Sequence, residues 1–236
     1  YYAPLQAEQK KTAAVGHQNG NQPIPEYAPI HVESAAGGLW STPGDLAIWL
    51  IDLMKAYNNQ PNSLIQHSSA ETLFKPVKWN YSLGFKVMGQ DDSLRFSHGG
   101  ATIGWHCHFM AFPKRGQAVV VMTNAENGWV LWPEIERAVS NELGWPNIKP
   151  KHISMIDIPD QTWQNYEGKY KMGTFAVQLN RDDTHLKLTA GNLIWNLIPI
   201  AVDTFEIKEM EGQVFVRRDT EGNTKGFHLW FGEPDW

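Results

Sequence analysis

The sequence predicts an α+β protein: an antiparallel sheet with packed helices, followed by a small all-β barrel. Three observations carry this. In PGDLAIWLIDLMKAY, Leu46, Trp49, Leu50, Leu53 and Met54 recur at helical spacing, which makes one helix face apolar. A meander follows, in which YSLGFKVMG, LRFSHGGATIG, WHCHFMAFP and AVVVMTN are separated by turn residues, the pattern of consecutive antiparallel strands. Later the chain turns into short strands at about ten-residue spacing, the signature of a small barrel or sandwich. The prolines of WPNIKPKHISMIDIPDQ mark a linker, so the expected domains are residues 1–158 and 159–236.

Each element has its local reason. Residues 1 to 31, YYAPLQAEQKKTAAVGHQNGNQPIPEYAPIH, show no clear helical or strand period. A compact domain seldom opens so, and the expectation is a segment that packs on something outside this unit. Ser41 or Thr42 can cap the first long helix, Pro43 suits its first turn, and Asp45 favours the positive end of its dipole. A second helix is expected from Ser68 to Lys75, ended by Pro76. Val119, Val120 and Val121 form a continuous β-branched run, which predicts a strand buried on both faces. A third helix runs from Trp132 to Leu143, stopped by Gly144 with Pro146 beyond. The barrel strands are YEGKYKM, FAVQLN, HLKLTA, NLIWNLI, TFEIKEM, QVFVRR and GFHLWF. Arg181-Asp182-Asp183, Glu211-Gly212 and Glu221-Gly222-Asn223 turn the chain between them.

Composition excludes several classes. A net charge of -5 with a pI near 6.0 lacks the basic footprint of a nucleic-acid binder, so no nucleic-acid partner is expected. The longest apolar run, Leu46 to Met54, is broken by Asp52 and is too short to span a bilayer. The single cysteine, Cys107, excludes an internal disulfide and a cysteine zinc cage. Neither a cofactor nor a metal is expected.

The stretch RFSHGGATIGWHCHF, Arg95 to Phe109, carries the functional signal. It reads as strand, yet places Gly99 and Gly100 beside His98, with Gly104 four residues on. Glycine weakens a strand interior and marks a bulge or a close approach by ligand or backbone.

AAGGLWSTPGDLA before a helix, YSLGF opening a strand, SHGGATIGW on the next and FPKRGQAVVVMTN after it keep one order and spacing. Together they resemble the C-terminal half of the serine β-lactamase and penicillin-binding-protein family, in its class C-like, D-aminopeptidase and esterase branch. The segment that opens with YEGKY and closes with the G-x-x-x-G-F pattern at Gly222 to Phe227 resembles the lipocalin-like domain many of these proteins carry.

The resemblance implies acyl transfer through a serine acyl-enzyme. It puts His98-Gly99-Gly100 where the family has Lys-Thr-Gly or its His-x-Gly variant. Gly99 and Gly100 would then leave substrate room along the strand edge. The Ala101 N–H would be one of two oxyanion donors, and His98 would bind the substrate carboxylate or orient the catalytic phenol. Trp105 packs under the site or touches substrate. The substrate is a small molecule or peptide: D-residue peptides, β-lactams or simple esters.

One departure matters. The chain holds no Ser-x-x-Lys, the family's nucleophile motif. Thr72 to Lys75 has that spacing with threonine, but follows the first helix and ends at a proline. Tyr57-Asn58-Asn59 matches Tyr-x-Asn literally but falls at a helix end, where asparagine is an ordinary stop. The family order places both motifs upstream, on a missing N-terminal half, and this chain alone is expected to be inactive. The resemblance implies a periplasmic, secreted or membrane-attached location.

Two other readings stand beside this one. The chain could be a truncated or degenerate ligand-binding module, or His98, His106 and His108 could serve a metal-dependent hydrolase. Small barrels fill with their own side chains, so a filled barrel core is expected over a ligand cavity.

Overall fold

The computed structural model describes residues 1, 4–18, 21–24, 34–146, 148, 152–172, 175–182, 185–191, 193–209 and 212–230. Its opening segment carries a one-turn helix α1 (Ala7–Lys10), a hairpin of β1 (His17–Gln18) and β2 (Gln22–Pro23), and a further single turn α2 (Ser34–Gly37). The described part of this segment bonds to the chain's own residues. The Tyr1 ammonium donates to the Trp40 carbonyl at 2.8 Å. The His17 N–H donates to the Asn124 carbonyl at 2.9 Å, and the His17 carbonyl accepts from the Glu126 N–H at 2.8 Å. Backbone groups outside regular structure still need partners, and residues 124–126 supply them. Residues 25–33 lie outside the described residues.

Helix α3 (Pro43–Tyr57) begins where its cap sequence says it should. The cap is Thr42, whose hydroxyl accepts the Asp45 N–H at 3.1 Å; Ser41 instead points its hydroxyl at the Thr42 carbonyl. Asn58 closes the helix, its side-chain amide donating to Met54 O at 3.0 Å and Pro113 O at 2.7 Å. That is an end-of-helix role, in agreement with the rejection of Tyr57-Asn58-Asn59 as a catalytic motif. Helix α4 (His67–Leu73) follows.

Four strands form the first unit's main sheet in chain order: β3 (Lys86–Met88), β4 (Arg95–Thr102), β5 (Trp105–Phe112) and β6 (Gln117–Thr123). Helix α5 (Leu131–Leu143) ends at Gly144, which takes the left-handed conformation at φ 63° that favours glycine. Pairing in register sorts the side chains. Phe96, His98 and Gly100 face the same way as Ala111, Phe109 and Cys107, whereas Gly99 and Ala101 share the other face with His108 and His106. On the first face α3 and α4 bury Leu50, Leu53, Met54, Ala70, Phe74, Phe85, Phe96 and Phe109. Phe74 and Phe96 stack with ring centroids 4.2 Å apart. Each such side chain contributes about 1.5–3 kcal/mol by leaving water. On the second face α5 brings Trp132 flat against His108, at 4.0 Å.

Two expectations change. YSLGFKVMG is strand only over Lys86–Met88, because Gly84 sits at φ 97° and turns the chain before Phe85 enters the core. Val119–Val121 are not buried on both faces: Val119 and Val120 are half-buried, and only Val121 is fully covered. The reason is position, since β6 ends the sheet order and an end strand has one neighbour.

The contact pattern divides the chain into Tyr1–Pro150 and Lys151–Pro234. Residues 152–158 of the linker go with the second unit: the Ile156 N–H donates to Pro199 O at 3.0 Å and Ile158 is buried. There, helix α6 (Asp160–Gln164) leads into β7 (Gly168–Met172), β8 (Phe175–Arg181), β9 (Leu186–Ala190), β10 (Leu193–Ala201), β11 (Thr204–Ile207), β12 (Gln213–Arg218) and β13 (Thr224–Trp230). All seven pair antiparallel with their sequence neighbours. The sheet curls into a nearly closed barrel, its end strands meeting where the Tyr170 and Phe227 rings lie 5.4 Å apart. Val177, Leu179, Leu186, Leu188, Leu197, Phe205 and Val214 fill the interior. Trp163 and Tyr166 close on Phe205 at 6.1 and 5.3 Å.

Candidate functional site

The pairing of β4 makes the site. Strand β3 pairs with Arg95, Phe96 and Ser97 only, while β5 pairs with Phe96 through Thr102. From His98 to Ala101 the strand therefore has a neighbour on one side and, among the described residues, an open backbone edge on the other. His98, Gly99, Gly100 and Ala101 are exposed along it, and α2 lies beside the strand. Four of the five residues singled out by sequence thus share one open edge.

The glycines have identifiable neighbours. A Cβ at Gly100 would come within 2.8 Å of the Cys107 Sγ, and one at Gly99 within 3.3 Å of His108 Cδ2. Side chains from β5 occupy the space on both faces of the strand, so the edge is kept bare. His98 stacks on Phe109 with centroids 6.5 Å apart, which holds its imidazole against the aromatic core. Trp105, the fifth candidate, begins β5. Its six-membered ring packs on Gly16, where a Cβ would fall within 2.6 Å of it, and edge-on to Trp40 at 5.5 Å.

Burial sets the electrostatics behind this edge. It pushes the Cys107 thiol up, against a smaller opposing effect of the Gly100 N–H. It pushes His106 below the usual histidine range, despite the pull of Glu126. Glu126 is itself engaged, its carboxylate accepting the Gly104 N–H at 2.6 Å.

Sequence reasoning missed Glu136. Its side chain is 5% exposed and pairs with His108 Nδ1, so a carboxylate on α5 pins the imidazole behind Gly99. The only available signal was that Trp132, Glu136 and Ser140 recur every four residues, one helix stripe. His98 lies on the opposite sheet face from His106 and His108, so the three cannot meet at one ion. Among the described residues no group of three or more His, Cys, Asp or Glu could hold a metal.

A family model, Beta-lactamase, matches residues 1–139, more than half of the chain. The chain belongs to the beta-lactamase family. No curated protein matches it. Among solved structures, the octameric penicillin-binding protein homologue from Pyrococcus abyssi superposes with a TM-score of 0.53 at 17% identity, over 99% of this chain and 55% of that one. SurE superposes with a TM-score of 0.48 at 20% identity, over 93% of this chain and 55% of its own. SurE with D-Leu gives 0.46 at 20% identity, over 92% and 53%. The chain thus spans about half the length of the solved structures it matches, and the likeness to the penicillin-binding protein homologue is one of fold. In this beta-lactamase-family chain, His98-Gly99-Gly100 occupies an exposed strand edge bordered by a helix turn.

Proposed function

We propose that this chain is the sheet-and-barrel part of a serine hydrolase of the β-lactamase and penicillin-binding-protein superfamily, from its D-aminopeptidase and esterase branch, with a lipocalin-like second domain. The observation that carries the reading is the open edge of β4 from His98 to Ala101. A substrate lying there as an added strand would receive backbone hydrogen bonds, and bare glycines let its carbonyl come close. The Ala101 N–H serves as one oxyanion donor, a contribution of about 3–4 kcal/mol in acyl transfer. His98, exposed beside it, binds a substrate carboxylate or orients the catalytic phenol. Peptides with D-residues, β-lactams and simple esters are the substrate classes, and the setting is periplasmic, secreted or membrane-attached.

The nucleophile and its base come from a segment that carries Ser-x-x-Lys, which this sequence lacks, and its own Tyr-x-Asn. Strand β6 supports such a complement. It is the last strand of its sheet, and its half-buried Val119 and Val120 form an apolar edge that natural proteins usually cover.

Native mass spectrometry shows whether a second polypeptide with those motifs travels with this one. Serine-reactive fluorophosphonate is then applied to this chain alone and to the reconstituted pair. The pair is expected to label and this chain to stay unlabelled, with His98→Ala lowering kcat/KM of the pair by about 10- to 1,000-fold. Labelling of the isolated chain, or full activity of the His98→Ala pair, would sink the reading; no second polypeptide and no labelling would leave a binding module.

A further inference from the structure

One strand glycine has no reason internal to the fold. Gly226 lies within β13, a Cβ on it would meet nothing within 4 Å, and its φ is not in the left-handed region. Neither packing nor backbone conformation excludes a side chain there, although glycine weakens a strand. Directly across the strand pair lies Arg217, next to a register shift between Arg217 and Arg218. Bulges of this kind gather at sites where a side chain is re-aimed.

Gly226 opens onto a cleft of about 390 Å³ at the seam where β7 and β13 approach. Its apolar wall is Tyr170, Phe227 and Leu229; Lys171, Arg217 and Lys225 bring cations to the same cleft. All three cationic residues are exposed, and none has a carboxylate partner among the described residues. Three like charges around one cleft of a protein whose net charge is -5 are a local reversal. Clefts lined by one sign focus the field and concentrate ions of the other.

We propose that this seam is a binding site for a small organic anion with an aromatic body. The ring lies in the seam on Tyr170, Phe227 and Leu229, and the carboxylate or phosphate is held by Lys171, Arg217 and Lys225, with Arg217 across the strand pair from the space Gly226 leaves. The site belongs wholly to the second unit and does not rest on the hydrolase reading. A cleft of this size falls in the small-molecule range.

The test uses the full chain and isothermal titration with 1-naphthoate, its neutral isostere 1-naphthamide, and phenyl phosphate. Naphthoate is expected to bind at least about tenfold more tightly than naphthamide, and less tightly as salt is raised. The variant Lys171→Gln/Arg217→Gln/Lys225→Gln, folded by circular dichroism, is expected to lose about tenfold or more in naphthoate affinity. Gly226→Val fills the space beside Arg217 and is expected to weaken naphthoate binding; if it fails to fold, Gly226→Leu and Gly226→Ala in the same assay replace it, with Leu weakening binding more than Ala. Tighter binding of phenyl phosphate assigns the head group as phosphate, tighter binding of naphthoate as carboxylate, and either supports the site. Equal affinity for naphthoate and naphthamide, an unchanged triple variant, or no binding of either anion at millimolar concentration overturns it.

Discussion

Gly100 and Cys107 face each other across β4 and β5, so closely that a Cβ on the glycine would stand 2.8 Å from the cysteine sulfur. The strand that bears the candidate site is thus matched to its neighbour one atom at a time. The pair accounts for one of the two glycines by packing inside the sheet, in addition to the room they leave for a substrate.

Gly100→Ala should destabilise the chain by about 1–3 kcal/mol through overpacking. Cys107→Ala in the same chain should recover most of that loss, because it removes the atom in the way. Urea unfolding of the two single variants and the double variant measures the coupling. Additive losses would mean the two side chains do not meet.

Cys107 should be a slow nucleophile. Burial raises its thiol above the ordinary range, so less thiolate is present at neutral pH and alkylation needs the thiolate. Its rate with iodoacetamide at pH 7.5 should fall about tenfold or more below that of an unfolded control in urea. Equal rates in the folded and unfolded chain would contradict the burial argument.

The His108–Glu136 pair should be costly to break from one side. Glu136 is 3% exposed, and His108→Ala leaves its carboxylate buried with its partner gone, a loss of about 3–5 kcal/mol. It also removes the stack on Trp132. Glu136→Gln keeps a hydrogen-bonding group and should cost less. Thermal melts rank the two, and a mild His108→Ala beside a severe Glu136→Gln would reverse the assignment.

The barrel should have an acid-sensitive clamp. Arg218 donates to both carboxylate oxygens of Asp203, at 2.8 and 2.6 Å, and holds that carboxyl below the usual carboxylate range. A folded value below the unfolded one means the contribution is complete above about pH 4, the unfolded carboxyl's value. It is lost as pH falls through the lower folded value. Asp203→Asn should therefore cost about 1–2 kcal/mol at pH 7 and flatten the acid limb of a stability profile between about pH 4 and 2. An acid limb of unchanged slope in the variant would place the sensitivity elsewhere.

Much of the molecule is legible locally. The capped α3, the four-strand meander and all seven barrel strands follow from periodicity and turn residues, because those signals act over a few neighbouring positions. His98-Gly99-Gly100 also stood out locally, as glycines where a strand should avoid them. What sequence could not decide was which groups distant in the chain meet. That β3 stops at Ser97's partner and bares the edge depends on Gly84 turning the chain before Phe85 enters the core. That Glu136 pins His108 depends on α5 lying across β5, 28 residues apart. That Gly226 opens onto Lys171 depends on the sheet curling until its end strands approach. Local preference specifies the elements; only closing the sheet and packing its helices brings their edges and charges together.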